Sequence, residues 1–174
     1  MQTLIECSQY SQYPDIRDCI LGIFFFGTPH QGLRTVELCN IFDEQPDADV
    51  KVRDLLAQLH EGSEYLENQQ EALRQMWDTI RGKVITFYET ETTKSVKKVA
   101  PGVFRREGVE VQMVQRLSAQ LYLPKEHRFP VTSNHRDIVK FDSQQCRTYQ
   151  TVVTYMKECL GKHQTVITKI ELQY

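Results

Sequence analysis

The chain has 174 residues, of which 40% are hydrophobic and 25% charged, the composition of one ordinary globular domain with enough apolar residues to bury a core. Its formal net charge of -2, with no face rich in Lys or Arg, leaves no electrostatic footprint for nucleic acid. No apolar run reaches the length needed to span a bilayer, so no membrane span is expected.

The first residues, "MQTLIECSQYSQYPD", have neither a basic n-region nor an apolar h-region, and the expectation is an intracellular, cytoplasmic protein. Five cysteines, Cys7, Cys19, Cys39, Cys146 and Cys159, are odd in number, scattered and never in a C-x-x-C pair. They predict neither a disulfide framework nor a zinc site, and read as mostly buried thiols.

In chain order, Gln2 to Cys7 is short and mildly apolar and reads as the end of a helix; Gln9 to Asp18, with Pro14, reads as a loop. Next comes "LGIFFFGTPHQG", Leu21 to Gly32. Four bulky apolar residues, Ile23 to Phe26, bounded by Gly22 and Gly27, predict a strand buried on both faces, as in a parallel sheet. The Gly-Thr-Pro-His-x-Gly turn then falls at the strand's carboxyl end, the edge of an α/β sheet where ligands and catalytic groups collect. The stretch "FDEQPDADV" is acidic, turn-forming and exposed in this reading. Val52, Leu55, Leu56 and Leu59 recur at helical spacing, and Leu66, Leu73, Trp77 and Ile80 do so again after Gly62-Ser63, predicting two amphipathic helices.

"KVITFYETETT", Lys83 to Thr93, is rich in β-branched and aromatic residues up to Tyr88 and predicts a second strand ending near Glu89. Lys94 to Arg106 carries five basic residues around Pro101 and Gly102 and reads as an exposed loop. "VTSNHRDIVKF", Val131 to Phe141, puts His135 in a polar loop between apolar segments. Thr148 to Leu160 predicts a helix whose Val152, Val153, Met156 and Leu160 form a docking face, and Thr165 to Leu172 alternates like a strand. There is no internal repeat and no low-complexity segment.

Two polar candidates stand at predicted strand or loop ends, Glu89 and then His135. An acid followed by a histidine is the second half of the Ser, Asp or Glu, His order of α/β-hydrolases. There the carboxylate fixes the histidine tautomer while the histidine takes the proton from a serine hydroxyl. Glu91 and Asp137 are alternative acids.

"GIFFFGTPHQG", "VITFYET", "VQRLSAQLYLPKE" and "NHRDIVKF" occur in the order and rough spacing of a family of lipase-like α/β-hydrolase domains. The family is well represented in fungi, often at the front of NACHT, ankyrin or tetratricopeptide proteins. It is related to the serine-active-site-containing (SERAC) proteins and more distantly to GPI inositol-deacylases. The resemblance covers residues 2 to 160 and implies a hydrolase-like domain over 1–160 followed by an extension, 161–174. It further implies that His135 is the catalytic histidine and Glu89 the acid. Gly27, Thr28, Pro29, His30 and Gly32 would line the mouth of the active site, with His30 a turn residue rather than the base.

The resemblance is incomplete. Such enzymes carry their nucleophile in a G-x-S-x-G elbow; none of Ser8, Ser11, Ser63, Ser95, Ser118, Ser133 or Ser143 lies in one. "MQTLIECS" resembles the later part of the helix after the elbow, which would place the serine on the order of two helical turns before Met1. Asn134 stands where the family usually has Asp, and Pro101 to Glu110 resembles an insertion. The expected fold is therefore a partial α/β-hydrolase, its parallel sheet lacking the first strands, with a helical insertion at 33 to 80. The expected function is that of a fragment or remnant of a serine esterase acting on lipid or small acyl esters, inactive alone and needing no cofactor or metal. The alternative is a non-catalytic interaction or signalling module. Such a chain would bind a protein partner or self-associate through an exposed sheet edge.

Overall fold

A computed structural model describes residues 19–33, 50–77, 82–100 and 103–171. The helix end expected at 2–7, the loop at 9–18, the acidic turn at 42–49, Ile80 and the Pro101-Gly102 break lie outside these residues.

The chain is an α/β protein built on three parallel strands. Strand β1 is Gly22–Phe26, followed by helices α1, Val50–Leu59, and α2, Glu64–Met76. The central strand β2 is Lys83–Glu89. Four short strands follow: β3, Thr93–Lys94; β4, Lys97–Ala100; β5, Val103–Arg105; and β6, Glu110–Val111. Strand β7 is His127–Val131 and helix α3 is Arg147–Glu171. The main sheet has the order β1-β2-β7. Its register sets Phe24 beside Ile85 and Ile85 beside His127, so the three carboxyl ends share one edge.

Side-chain alternation divides the core between the two faces of this sheet. Ile23, Phe25 and Val84 pack with Leu73 and Met76 of α2 and with Leu121 and Leu123. Phe24, Phe26, Ile85, Phe87 and Phe129 pack on the other face with Val152 and Tyr155 of α3. Phe87 stacks between Phe26, at 4.6 Å, and Phe129, at 5.6 Å. This two-sided burial is why the apolar runs of β1 and β2 are continuous rather than alternating. Ser63 starts α2 as its N-cap, accepting a hydrogen bond from the Leu66 N–H at 3.3 Å.

Three elements differ from the sequence expectation. The basic stretch 94–106 is not a loop throughout: β4 and β5 pair antiparallel, and β3 pairs with β6. Its strand pairing links residues across a chain reversal, which local composition does not register. Strand β7 was not anticipated, because it is short, alternates half-buried with exposed residues and contains Pro130. A proline is tolerated there because, among the described residues, β7 pairs on one side alone, with β2. The strand expected at Thr165 to Leu172 is instead helix as far as Glu171. Extending an existing helix adds a hydrogen bond per residue without a new nucleus, and this outweighs the strand preference of Val166, Ile167 and Ile170.

Among the described residues Cys19 is exposed, Cys146 half-buried and Cys159 buried, all as free thiols. None of the described helices is long and apolar enough to cross a membrane.

Candidate functional site

The shared carboxyl edge of the parallel sheet brings together segments distant in the chain. Beyond β2, the Thr90 and Glu91 N–H groups donate to Ser133 O at 3.3 and 3.2 Å, and Thr90 Oγ1 donates to Val131 O at 3.1 Å. These bonds tie the segment after β7 to the end of β2. Asn134 then starts a turn: its Oδ1 accepts the Arg136 and Asp137 N–H groups at 3.0 and 3.1 Å. This side-chain cap, which an Asp could equally supply, folds the chain back so that His135 lies over the end of β2.

There Glu89 and His135 meet. Glu89 Oε2 lies 2.8 Å from His135 Nδ1, and Glu89 Oε1 accepts the Val114 N–H at 3.0 Å. The carboxylate is buried completely, whereas the imidazole is 37% exposed. Both carboxylate oxygens thus have a donor, which offsets the cost of burying them. A carboxylate in this position accepts from the Nδ1–H, and in the neutral ring that tautomer leaves the Nε2 lone pair free. Among the described residues Glu89 is the hydrogen-bond partner of the His135 ring.

The two alternative acids are placed elsewhere. Glu91 is exposed. Asp137 bonds to Lys140 at 2.7 Å and to Asn134 at 3.1 Å, and these partners, Lys140 first, hold its carboxyl below the usual carboxylate range.

Gly27 forms the floor under the pair. It has φ of +52°, and a Cβ there would lie 3.1 Å from His135 Nδ1 and 3.6 Å from Glu89 Oε2. A glycine therefore meets both a backbone and a steric requirement. Thr28 and Pro29 are half-buried and lead to His30, whose side chain turns away from the pair. His30 packs edge-on against Phe25 with ring centroids 4.7 Å apart. It is 1% exposed, and burial pushes its pKa down to about 4. Gly32, with φ of +107°, lies against the α1–α2 connection, where a Cβ would come within 2.4 Å of the Glu61 Cα. The turn thus divides: Gly27 faces the acid–histidine pair, while His30 lines a separate cavity of about 390 Å³ with Gln31, Gly62 and Gln70.

Several supporting residues escaped sequence reasoning. Ser118 holds the turn through three contacts: its Oγ donates to Gly32 O at 2.7 Å and accepts the Gln31 N–H at 3.2 Å, and its carbonyl accepts the His30 N–H at 2.8 Å. Gln112 Nε2 donates to Glu89 O at 2.8 Å. Glu126, buried, accepts from Thr86 Oγ1 at 2.6 Å and from the Leu121 N–H at 3.2 Å. Ser118 and Glu126 lie within the stretch "VQRLSAQLYLPKE", but their residue types alone do not give them these roles. Among the described residues, no group of three or more His, Cys, Asp or Glu could hold a metal ion.

The arrangement defines a histidine oriented by a buried acid at the carboxyl edge of a parallel sheet. Comparison of the chain with family models, curated proteins and solved structures finds no match.

Proposed function

We propose that the chain carries the acid and base of an α/β-hydrolase-type ester hydrolase, acting on lipid or small acyl esters, with the nucleophilic serine supplied from outside this sequence. The observation that carries this reading is the buried Glu89 carboxylate on His135 Nδ1, across the ends of parallel strands. In the reaction His135 Nε2 takes the proton of the attacking hydroxyl and returns it to the leaving alcohol, while Glu89 holds the tautomer and stabilises the imidazolium. The chain alone, having no G-x-S-x-G elbow, does not turn over esters.

The test is to graft the strand, elbow and first helical turns of a lipase-like hydrolase ahead of Met1 and to follow nitrophenyl ester hydrolysis. Activity should appear in the graft, fall by several orders of magnitude in His135→Ala and fall less in Glu89→Ala. A folded graft that reacts with a fluorophosphonate but is indifferent to His135→Ala would refute the histidine's role. A second reading, a non-catalytic interaction module, draws support from β1. This strand lies at the sheet edge among the described residues and carries half-buried Ile23, Phe24 and Phe26.

A further inference from the structure

We propose that the hairpin of β4 and β5 is a docking surface for an anionic lipid bilayer. Five of the chain's 21 Lys and Arg, namely Lys94, Lys97, Lys98, Arg105 and Arg106, fall between residues 94 and 106, where there is no Asp or Glu, although the whole chain has a formal net charge of -2. Strand pairing sets Lys97 opposite Arg105 and Ala100 opposite Val103. Direct partners in a ladder share a face, as do residues two apart in a strand. Lys97, Ala100, Val103 and Arg105 therefore stand on one face, and all four are exposed. Lys98 and Phe104, also partners, take the other face and are half-buried. At the root of the hairpin the Ser95 N–H donates to Val109 O at 2.9 Å, and β6 then leads to Gln112 and Val114, which donate to Glu89. The exposed face thus grows from the carboxyl edge of the main sheet.

Charge and polarity along this face select the partner. Like charges directly opposite one another oppose strand pairing, and an anionic group between Lys97 and Arg105 reverses the sign of that term. The acids nearby leave the cluster available: Glu110 stands opposite Lys94 rather than the hairpin, and Glu107 lies 3.5 Å from Arg105 in a pair more than half exposed, which is weak in water. Towards the chain reversal the face turns apolar, with Val99 43% and Val103 44% exposed. Cations at the root and valines at the tip match a bilayer interface, where lipid headgroups take the charges and the acyl boundary takes the side chains. A soluble acidic partner would need the cations alone, and a single-stranded nucleic acid calls for exposed rings, whereas Phe104 is on the half-buried face. Docking of this kind requires no membrane span, and it is read by binding rather than turnover, so it stands apart from the ester hydrolase reading.

The experiment is co-sedimentation of the full chain with vesicles of phosphatidylcholine alone and of phosphatidylcholine with phosphatidylserine, at low salt. The chain should pellet with the mixed vesicles and stay in solution with the neutral ones, and its retention should weaken as salt rises. The partition coefficient should fall about fivefold in Lys97→Gln and about fivefold again when Arg105→Gln is added. It should also fall several-fold in the double variant Val99→Ser, Val103→Ser. No retention on the mixed vesicles, equal retention on both kinds, or retention unchanged by the two charge substitutions would overturn the proposal. Retention indifferent to the valine substitutions, with equally tight binding of polyglutamate, would assign the face to a soluble acidic partner and overturn it as well. Amide hydrogen exchange on the unsubstituted chain keeps the test decisive where a variant fails to fold: mixed vesicles should slow exchange in β4 and β5, and unchanged exchange there refutes docking through the hairpin.

Discussion

Acidification should weaken this fold through His30. Its ring is buried, and burial lowers its pKa from 6.5 to about 4. An unfolded chain therefore takes up this proton from about pH 6.5 downwards, while the folded chain refuses it until about pH 4. Over that window protons bind the unfolded state preferentially, so the stability contributed by the neutral ring is complete above pH 6.5 and is lost as pH falls towards 4. At about 1.4 kcal/mol per pH unit, the gap amounts to about 3 kcal/mol. The assay is urea unfolding followed by fluorescence of the single tryptophan, Trp77, whose indole N–H donates to Pro124 O at 3.2 Å. Carboxylates such as Asp137 also titrate in acid, but they are common to both proteins when the chain is compared with His30→Leu. That substitution replaces unpaired polar atoms with apolar ones and should leave stability near neutral pH within about 1.5 kcal/mol. Its loss of stability between roughly pH 6.5 and 4 should be smaller by about 3 kcal/mol. Parallel pH profiles for the two proteins would refute the assignment of this acid sensitivity to His30.

Other substitutions probe the sheet and its edge. Phe87→Ala should lower the urea midpoint by the equivalent of about 3–5 kcal/mol, because the ring is 1% exposed and stacked on both sides. Gly27→Ala should cost about 1–2 kcal/mol from its left-handed backbone and shift the His135 ring resonances, since the added methyl points at Nδ1. Gly32→Ala should destabilise the fold more than Gly27→Ala in the same unfolding assay, as its methyl meets the Glu61 backbone rather than a movable side chain. Asn134→Ala should cost about 1 kcal/mol by removing the cap of the His135 turn, and Asn134→Asp should restore most of it.

Local pattern was sufficient wherever a residue's partners do not alter what it must be. The unbroken run Ile23 to Phe26 announced a strand covered on both faces, and the spacing of Leu66, Leu73 and Trp77 announced a helix with one buried stripe. The β-branched and aromatic density of "KVITFYE" located β2 to its last residue. Glu89 and His135 could be named as candidates because acid and base residue types stood at predicted strand and loop ends. Tertiary structure alone decided that they touch, since the contact depends on the parallel register of β2 and β7 and on the turn capped by Asn134. It also decided that Val114 completes the shell of the carboxylate, a backbone N–H being invisible in side-chain identity. Two neighbours in one motif were sent to different places, Gly27 to the pair and His30 into a cavity against α2, because three residues of turn reverse the direction a side chain faces. The helix that runs to Glu171 in place of a strand has a different origin, cooperative extension of the helix that begins at Arg147. Short-range preference states what a segment would choose in isolation, while cooperative extension and long-range pairing determine what it becomes.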